Sequence, residues 1–204
     1  RTVWGLAKLK HSFEVKKGDK VEGYLLITSP MEVGRATSVR TTSVRVVCWN
    51  TLAWAESESE LNYKQNHLTE FDVAAAKEAV GNAHENLLIA EKRFKTIAKL
   101  KINVEDAVRK VIVPVFMPEV ANDESFADIM LPESQPKVLS QILNSMATAP
   151  GAIQGTGWGV LNGVTHWGDH VAGRNAASRM HRAWVGDIAR HKTEVEAKLM
   201  ELAA

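Results

Sequence analysis

The run Phe13-Glu14-Val15-Lys16-Lys17-Gly18-Asp19-Lys20-Val21-Glu22-Gly23-Tyr24-Leu25-Leu26-Ile27-Thr28 decides the fold. Apolar and β-branched residues flank a polar turn that carries one glycine, which is a β-hairpin signature. Ser29-Pro30 stops the second strand, since proline has no N–H to give a ladder. After a loop through Gly34, Thr41-Thr42-Ser43-Val44-Arg45-Val46-Val47-Cys48-Trp49 reads as the strongest strand of the chain. A period of two sets Val44, Val46 and Cys48 on one face and Arg45, Val47 and Trp49 on the other.

Beyond the polar run Glu56-Ser57-Glu58-Ser59-Glu60 the period changes. Val73, Ala76, Val80, Ala83, Leu87, Ala90, Phe94 and Ile97 recur in steps of three and four, an apolar stripe along one long helix. Alanine at alternate stripe positions allows close approach, to the chain's own domain or to a partner helix. Asn103, three residues before Asp106, caps a second helix that runs to about Val113, where Pro114 and Pro118 end it. Residues 119–136 read as an acidic, proline-punctuated loop or short helical turn. A further helix starts near Pro136, buries Val138, Leu139, Ile142, Leu143 and Met146, and closes at Pro150-Gly151. Trp158 to His170 and Asn175 to Leu202 read as the last two helices. Strands first and helices afterwards predict an α+β fold: antiparallel hairpins in residues 1–55, and a helical part over 70–204 packed on the sheet, in one domain spanning 1–204.

The chain has 204 residues, 45% hydrophobic and 24% charged, enough for a core of its own and too apolar for a disordered tail. Twenty-five basic against 24 acidic groups leave +1, so any nucleic-acid surface depends on where the charges lie. They are blocked: 9 basic and 4 acidic over 1–55, 1 and 5 over 56–76, 8 and 5 over 77–110, 0 and 5 over 111–136, and 7 and 5 over 137–204. Cys48 is the sole cysteine, which excludes an internal disulfide and fits a reducing compartment. Its mid-strand setting marks it as a small buried hydrophobe. No apolar run approaches the roughly 20 residues of a membrane span.

Gly155-Thr156-Gly157-Trp158-Gly159, with Gly163 after it, invites comparison with phosphate-cradling loops. It lacks the upstream strand of a dinucleotide fingerprint and the Gly-Lys-Ser/Thr of a Walker loop, so the glycines are read as starting a helix or letting it pack closely. His166 and His170 are one helical turn apart with Asp169 beside them, a spacing that lets two imidazoles reach one ion. Trp167 stands where a zinc hydrolase places its glutamate, and no third ligand is evident. His166, Asp169 and His170 are therefore the weakest candidates, and no metal, cofactor or catalytic residue is assigned. The basic blocks offer different chemistry. Lys16, Lys17 and Lys20 sit at the hairpin turn, Arg35, Arg40 and Arg45 enter or lie on the central strand, and Trp49 and Trp54 follow. Lys92, Arg93, Lys95, Lys99 and Lys101 crowd the end of the long helix. Cations that track phosphates, beside aromatic faces on which bases stack, are the equipment of single-strand binders. The alternative is solvated lysines around an ordinary hairpin with both tryptophans in the core.

Thr42-Ser43-Val44-Arg45-Val46-Val47-Cys48-Trp49-Asn50-Thr51-Leu52 resembles the central signature of the bacterial phage/plasmid-like protein family, domain of unknown function 932. Gly155-Thr156-x-Trp158, Asn162-x-Val164-Thr165 and Asp169-His170 resemble its second motif. Arg179-Met180 through Ala183-Trp184-x-Gly186 resembles its closing helix. The chain departs from the pattern at Ser43, usually proline, and at His166, usually glutamate, so no carboxylate role carries over to that position. The resemblance implies a phage, prophage or plasmid protein acting in the bacterial cytoplasm, with an upstream segment of the usual domain absent here. Hairpins followed by helices in such a protein are similar in outline to phage single-strand annealing proteins, which assemble into rings or filaments on DNA. The leading expectation is thus a non-catalytic, homo-oligomeric single-stranded DNA binder with Arg40, Arg45, Lys16, Lys17 and Lys20 on phosphates and Trp49 or Trp54 on bases. The rivals are an oligomeric interaction protein built on helix 73–97 and, last, a metal-dependent hydrolase.

Overall fold

The computed structural model describes residues 2–31, 36–46, 50–52, 63–66, 69–70, 72–120, 129–131, 133 and 135–204. Arg35, Cys48, Trp49 and Trp54 lie outside these residues, as does much of the acidic stretch 119–136.

Among the described residues five strands form one antiparallel sheet: β1 (Thr2–Lys16), β2 (Asp19–Pro30), β3 (Ala36–Arg45), β4 (Asn50–Leu52) and β5 (Tyr63–Asn66). β1, β2 and β3 lie side by side in chain order, and both short strands pair with β3. The hairpin turn is where the sequence places it, with Gly18 at φ +79°, a backbone state that favours glycine. Two expectations change. β1 begins at Thr2, well before Phe13. The third strand already begins at Ala36, ahead of the expected Thr41; residues 47–49 of the expected strand lie outside the described residues. Its ladder on β2 runs from Thr28↔Ser38 to Val21↔Arg45. It stops there because β2 has reached its own turn and supplies only one further bond, from Val46 N–H to the Lys20 carbonyl.

Helix α1 (Val73–Lys99) is capped by Asp72, whose Oδ1 accepts the Ala75 N–H at 2.9 Å, a typical N-cap bond. It lies along the sheet. Asn86 donates to the buried Thr41 hydroxyl, Leu87 fills the space above Gly23, where a Cβ would come 2.1 Å from its Cδ1, and Phe94 meets Phe13 with ring centroids 6.2 Å apart. Ala83, Leu87, Ala90, Phe94 and Ile97 are all buried. The small residues of the stripe therefore serve the helix's own sheet. Val73 and Val80, at its start, stay about half exposed.

The second helical run continues past the expected stop. α2 (Val104–Ala107), capped by Asn103 as the sequence indicates, leads through a π-helical turn over Val108–Ile112 into α3 (Val113–Phe116). Pro114 sits in the first turn of α3, and the widened turn before it accommodates the missing donor. α4 (Lys137–Thr148) and α5 (Gly157–His166) follow, the latter ending in a second π turn over Trp167–Val171. The region read as one C-terminal helix is two, α6 (Ala176–Val185) and α7 (Asp187–Ala203). They break at Gly186, where a Cβ would come 2.8 Å from the Arg182 Cα. Phe13, Val15 and Val21 of the hairpin share a core with residues from α1 to α7, including Ile97, Val111, Ile142, Trp158 and Leu199. Observed architecture and expected α+β class agree. No helix among the described residues is long and apolar enough to cross a membrane.

Candidate nucleic-acid interface

Arg45 is the first surprise of the site. It is 1% exposed, on the helix-covered face of the sheet. Its Nε and Nη2 donate to the two oxygens of Asp19 at 2.6 and 2.7 Å, a bidentate fork. Further bonds run from Nη2 to the Gly151 carbonyl (2.7 Å) and from Nη1 to that of Pro150. Trp158 Nε1 donates to the same Asp19 carboxylate at 2.7 Å, and the Arg45 guanidinium carbon stands 5.9 Å from the Trp158 ring centre. The hairpin turn, the end of β3, the loop after α4 and the start of α5 are thus tied together inside the protein. An arginine held this way presents no charge to a phosphate, so Arg45 leaves the set of expected DNA contacts.

On the opposite face of the sheet Glu22 gathers a second group. Lys8 reaches it at 2.7 Å and Lys20 at 2.9 Å, and the Tyr24 hydroxyl donates at 2.9 Å. The Lys8 ammonium, followed by that of Lys20, holds the Glu22 carboxyl down at about 2. Lys20 is therefore neutralised as well. Arg40 is half-buried and opposite Leu26 in the register, so it shares this face, pointing away from α1. Among the described residues the cationic track expected along the early strands is not continuous, because Arg45 lies on one face and Lys20 and Arg40 on the other, and Arg45 and Lys20 meet carboxylates.

A different group of cations does converge. β1 and α1 run in the same direction, with His11 against Glu91 (3.3 Å) and Phe13 against Phe94. Three strand residues carry Lys16 about 10 Å beyond Phe13, and five helical residues carry Lys99 about 8 Å beyond Phe94. The hairpin turn and the C-terminal end of α1 consequently lie at one end of the molecule. Lys101 belongs to the same end. It forms an isolated bridge with Thr156, the N-cap of α5, while Gly157 N–H bonds the Leu100 carbonyl. Lys17, Lys99 and Lys101 are exposed, Lys16 is half-buried, and none of the four has an ion-pair partner among the described residues. Lys95, in contrast, is bound to Glu91 at 2.5 Å. Glu14 is the carboxylate at the turn and accepts the Gly18 N–H.

The glycines of α5 permit close packing. A Cβ on Gly159 would lie 1.7 Å from the Ile153 carbonyl oxygen, and one on Gly163 2.1 Å from Met146 Cγ. The candidate metal ligands are engaged elsewhere. Asp169 accepts from Lys192 at 2.5 Å, and that lysine is fully buried on α7. The His166 and His170 rings meet at a tilt of 42° with centroids 4.9 Å apart, and His166 is hydrogen-bonded to Ser145 at 3.3 Å. Burial, with the neighbouring His170, pushes the His166 imidazole below its ordinary value, so its neutral form is favoured. Among the described residues no group of three or more His, Cys, Asp and Glu side chains is placed to hold a metal.

Sequence reasoning missed Asp19 and Trp158 as partners of Arg45. An aspartate after Gly18 in a hairpin is ordinarily a solvated turn former, and the 139-residue separation from Trp158 leaves no local pattern to read. The motifs quoted above from the sequence meet here as internal contacts: Arg45 and Trp158 on Asp19, Asn162 on the Trp158 carbonyl, Asp169 on Lys192, and Arg179 on the Ala172 carbonyl. No curated protein and no solved structure matches the chain. A family description does match, over residues 1–200, almost the whole length, and on that basis the chain belongs to the domain of unknown function 932 family.

Proposed function

We propose that this chain is a non-catalytic, single-stranded DNA-binding protein of a phage or plasmid, and that it holds the phosphate backbone at the end of the molecule where the hairpin turn meets the end of α1. The observation that carries this reading is the placement of Lys16, Lys17, Lys99 and Lys101 at one end of the molecule, separate in sequence and with no ion-pair partner among the described residues. Four ammonium groups at one end of a chain of net charge +1 concentrate a potential that its total charge hides. Lysine on flexible stems suits backbone phosphate, which asks for charge more than for fixed geometry.

The test is fluorescence anisotropy of a labelled oligonucleotide across a salt series. Affinity should fall steeply with salt, and Lys99→Ala/Lys101→Ala should flatten the log–log slope by about 1.4, at roughly 0.7 per phosphate contact on a single strand. Absence of binding at low salt, or binding indifferent to salt, would remove the reading.

A second reading has its own support. β1 is the outer strand of the sheet, and Val3, Leu6, Val73 and Val80 are about half exposed on β1 and α1. An unpaired edge and exposed aliphatic side chains are places where a second copy or a host protein attaches. Light scattering distinguishes the two readings, since a stable oligomer indifferent to DNA favours the interaction protein.

A further inference from the structure

If phosphates lie on Lys99 and Lys101, the bases they carry need a place to go. Beside Lys101 the chain runs extended from Leu100 to Asn103, with Ile102 N–H bonded to the Gly155 carbonyl at 3.3 Å. Alternation along that segment keeps Lys101 in solvent and turns Ile102 inward. Ile102 forms one wall of a cleft of about 230 Å³ between α2, α4 and α5, completed by Val104, Leu143, Met146, Ile153 and Val160. The exposed Gln154 and Asn103 stand at its rim. The carboxylates of α2 are already matched: Asp106 lies 2.8 Å from Lys110 and Glu105 3.5 Å from Arg109.

We propose that this cleft is a nucleobase pocket, which takes one unstacked base of the strand whose phosphates rest on Lys99 and Lys101; it builds on the DNA-binding reading above. Three features select a base. The cavity is too small for a helix and roomy enough for one flat ring. Its walls are apolar, with the Met146 thioether among them, and such walls accept a π-face of any base. The lysine on the outside and the apolar wall on the inside of one extended segment reproduce the alternation of a nucleotide, charge on the backbone and ring to the side. The Gln154 amide at the rim offers a donor and an acceptor to a base edge. Binding there is accordingly tolerant of sequence, with the rim glutamine the one polar discriminator.

The experiment compares a short oligothymidylate with an abasic strand of the same length, on the full chain at fixed salt. Thymidylate should bind about tenfold tighter, the range expected for one well-held base. Ala147→Leu, on the exposed side of α4 where it lines the cleft, fills the space from outside without offering a ring to stack on and should bring thymidylate affinity down to the abasic level, leaving the abasic strand unaffected. Gln154→Leu serves as a second plug should the first variant fail to fold. Equal affinity of the two strands for the native protein overturns the pocket and leaves the lysine surface standing. Failure of both strands to bind overturns both proposals. A thymidylate advantage that survives a folded plug variant places the base elsewhere and also overturns the pocket.

Discussion

Arg45 and Lys101 are both cations at the same end of the molecule, and they do opposite things. Arg45 is enclosed, its fork on Asp19 and its remaining donors on the Pro150 and Gly151 carbonyls. Lys101 stands in solvent, and its backbone forms a bridge with Thr156. The first group fixes where the hairpin turn sits against α5, and the second uses that placement to line up with Lys16 and Lys17. Positive charge in a sequence is thus two different resources: when buried with a carboxylate it sets geometry, and when exposed it sets a field.

The comparison breaks most visibly at the buried member. Arg45→Ala leaves Asp19 enclosed with only the Trp158 N–H, and removal of one partner of a buried pair destabilises by about 3–5 kcal/mol. Urea unfolding should show that loss, or no folded protein at all. Arg45→Lys sharpens the point. A single ammonium cannot make the two-pronged contact or reach both carbonyls, so a loss well above that of an ordinary surface change is expected there as well. Full stability in either variant would mean that the joint contributes nothing.

The next effect belongs to the other half of the same joint. Gly159→Ala drives a methyl group against the Ile153 carbonyl oxygen, and backbone at that distance cannot step aside as a side chain would. A loss of about 1–3 kcal/mol is expected for such overpacking, read as a lower midpoint in urea with the slope unchanged.

These residues also mark the limit of what the sequence makes legible. The hairpin turn, the long helix, the Asn103 cap and the closing of α4 at Pro150-Gly151 are set by local chemistry, namely a glycine that tolerates positive φ, a repeat of apolar positions and a side-chain acceptor, and all can be read along the chain. The direction of Arg45 cannot. Period two assigns it to the face opposite Val44, and whether that face meets solvent or a helix depends on α5, more than a hundred residues away. The same holds for the end of β3, which is fixed by where β2 turns, and for the break at Gly186, which is fixed by crowding against Arg182. The cations of the long helix were visible as a cluster, but their meeting with the hairpin lysines depends on α1 lying parallel to β1, a fact of packing.

A smaller effect concerns the face of the sheet away from α1. The Glu22 carboxyl, held at about 2 against an ordinary 4.5, contributes stability that is complete above pH 4.5 and is lost as the pH falls toward 2. Lys8 and Lys20 are both about half exposed, so screening limits the contribution to about 1 kcal/mol. Glu22→Gln should flatten the stability profile between those pH values and leave the high-pH stability lower by that amount. An unchanged acid limb would show that the two lysines exert no hold on the carboxylate.

The smallest expected effect on stability is at the exposed cations, and it is the most informative about function. Lys17→Glu and Lys101→Glu change charge at exposed groups with no ion-pair partner among the described residues, so each should alter stability by no more than about 0.5 kcal/mol, a contrast of severalfold with Arg45→Ala in the same urea assay. If either variant loses as much as the Arg45 change, its ammonium is part of the internal joint, and the division between placing and binding charges fails. If both keep their stability and weaken salt-dependent DNA binding, the distinction holds in the strong form argued here. Stability is then determined at Asp19 and Arg45, affinity at the neighbouring lysines, and the two properties can be altered independently at one end of the molecule.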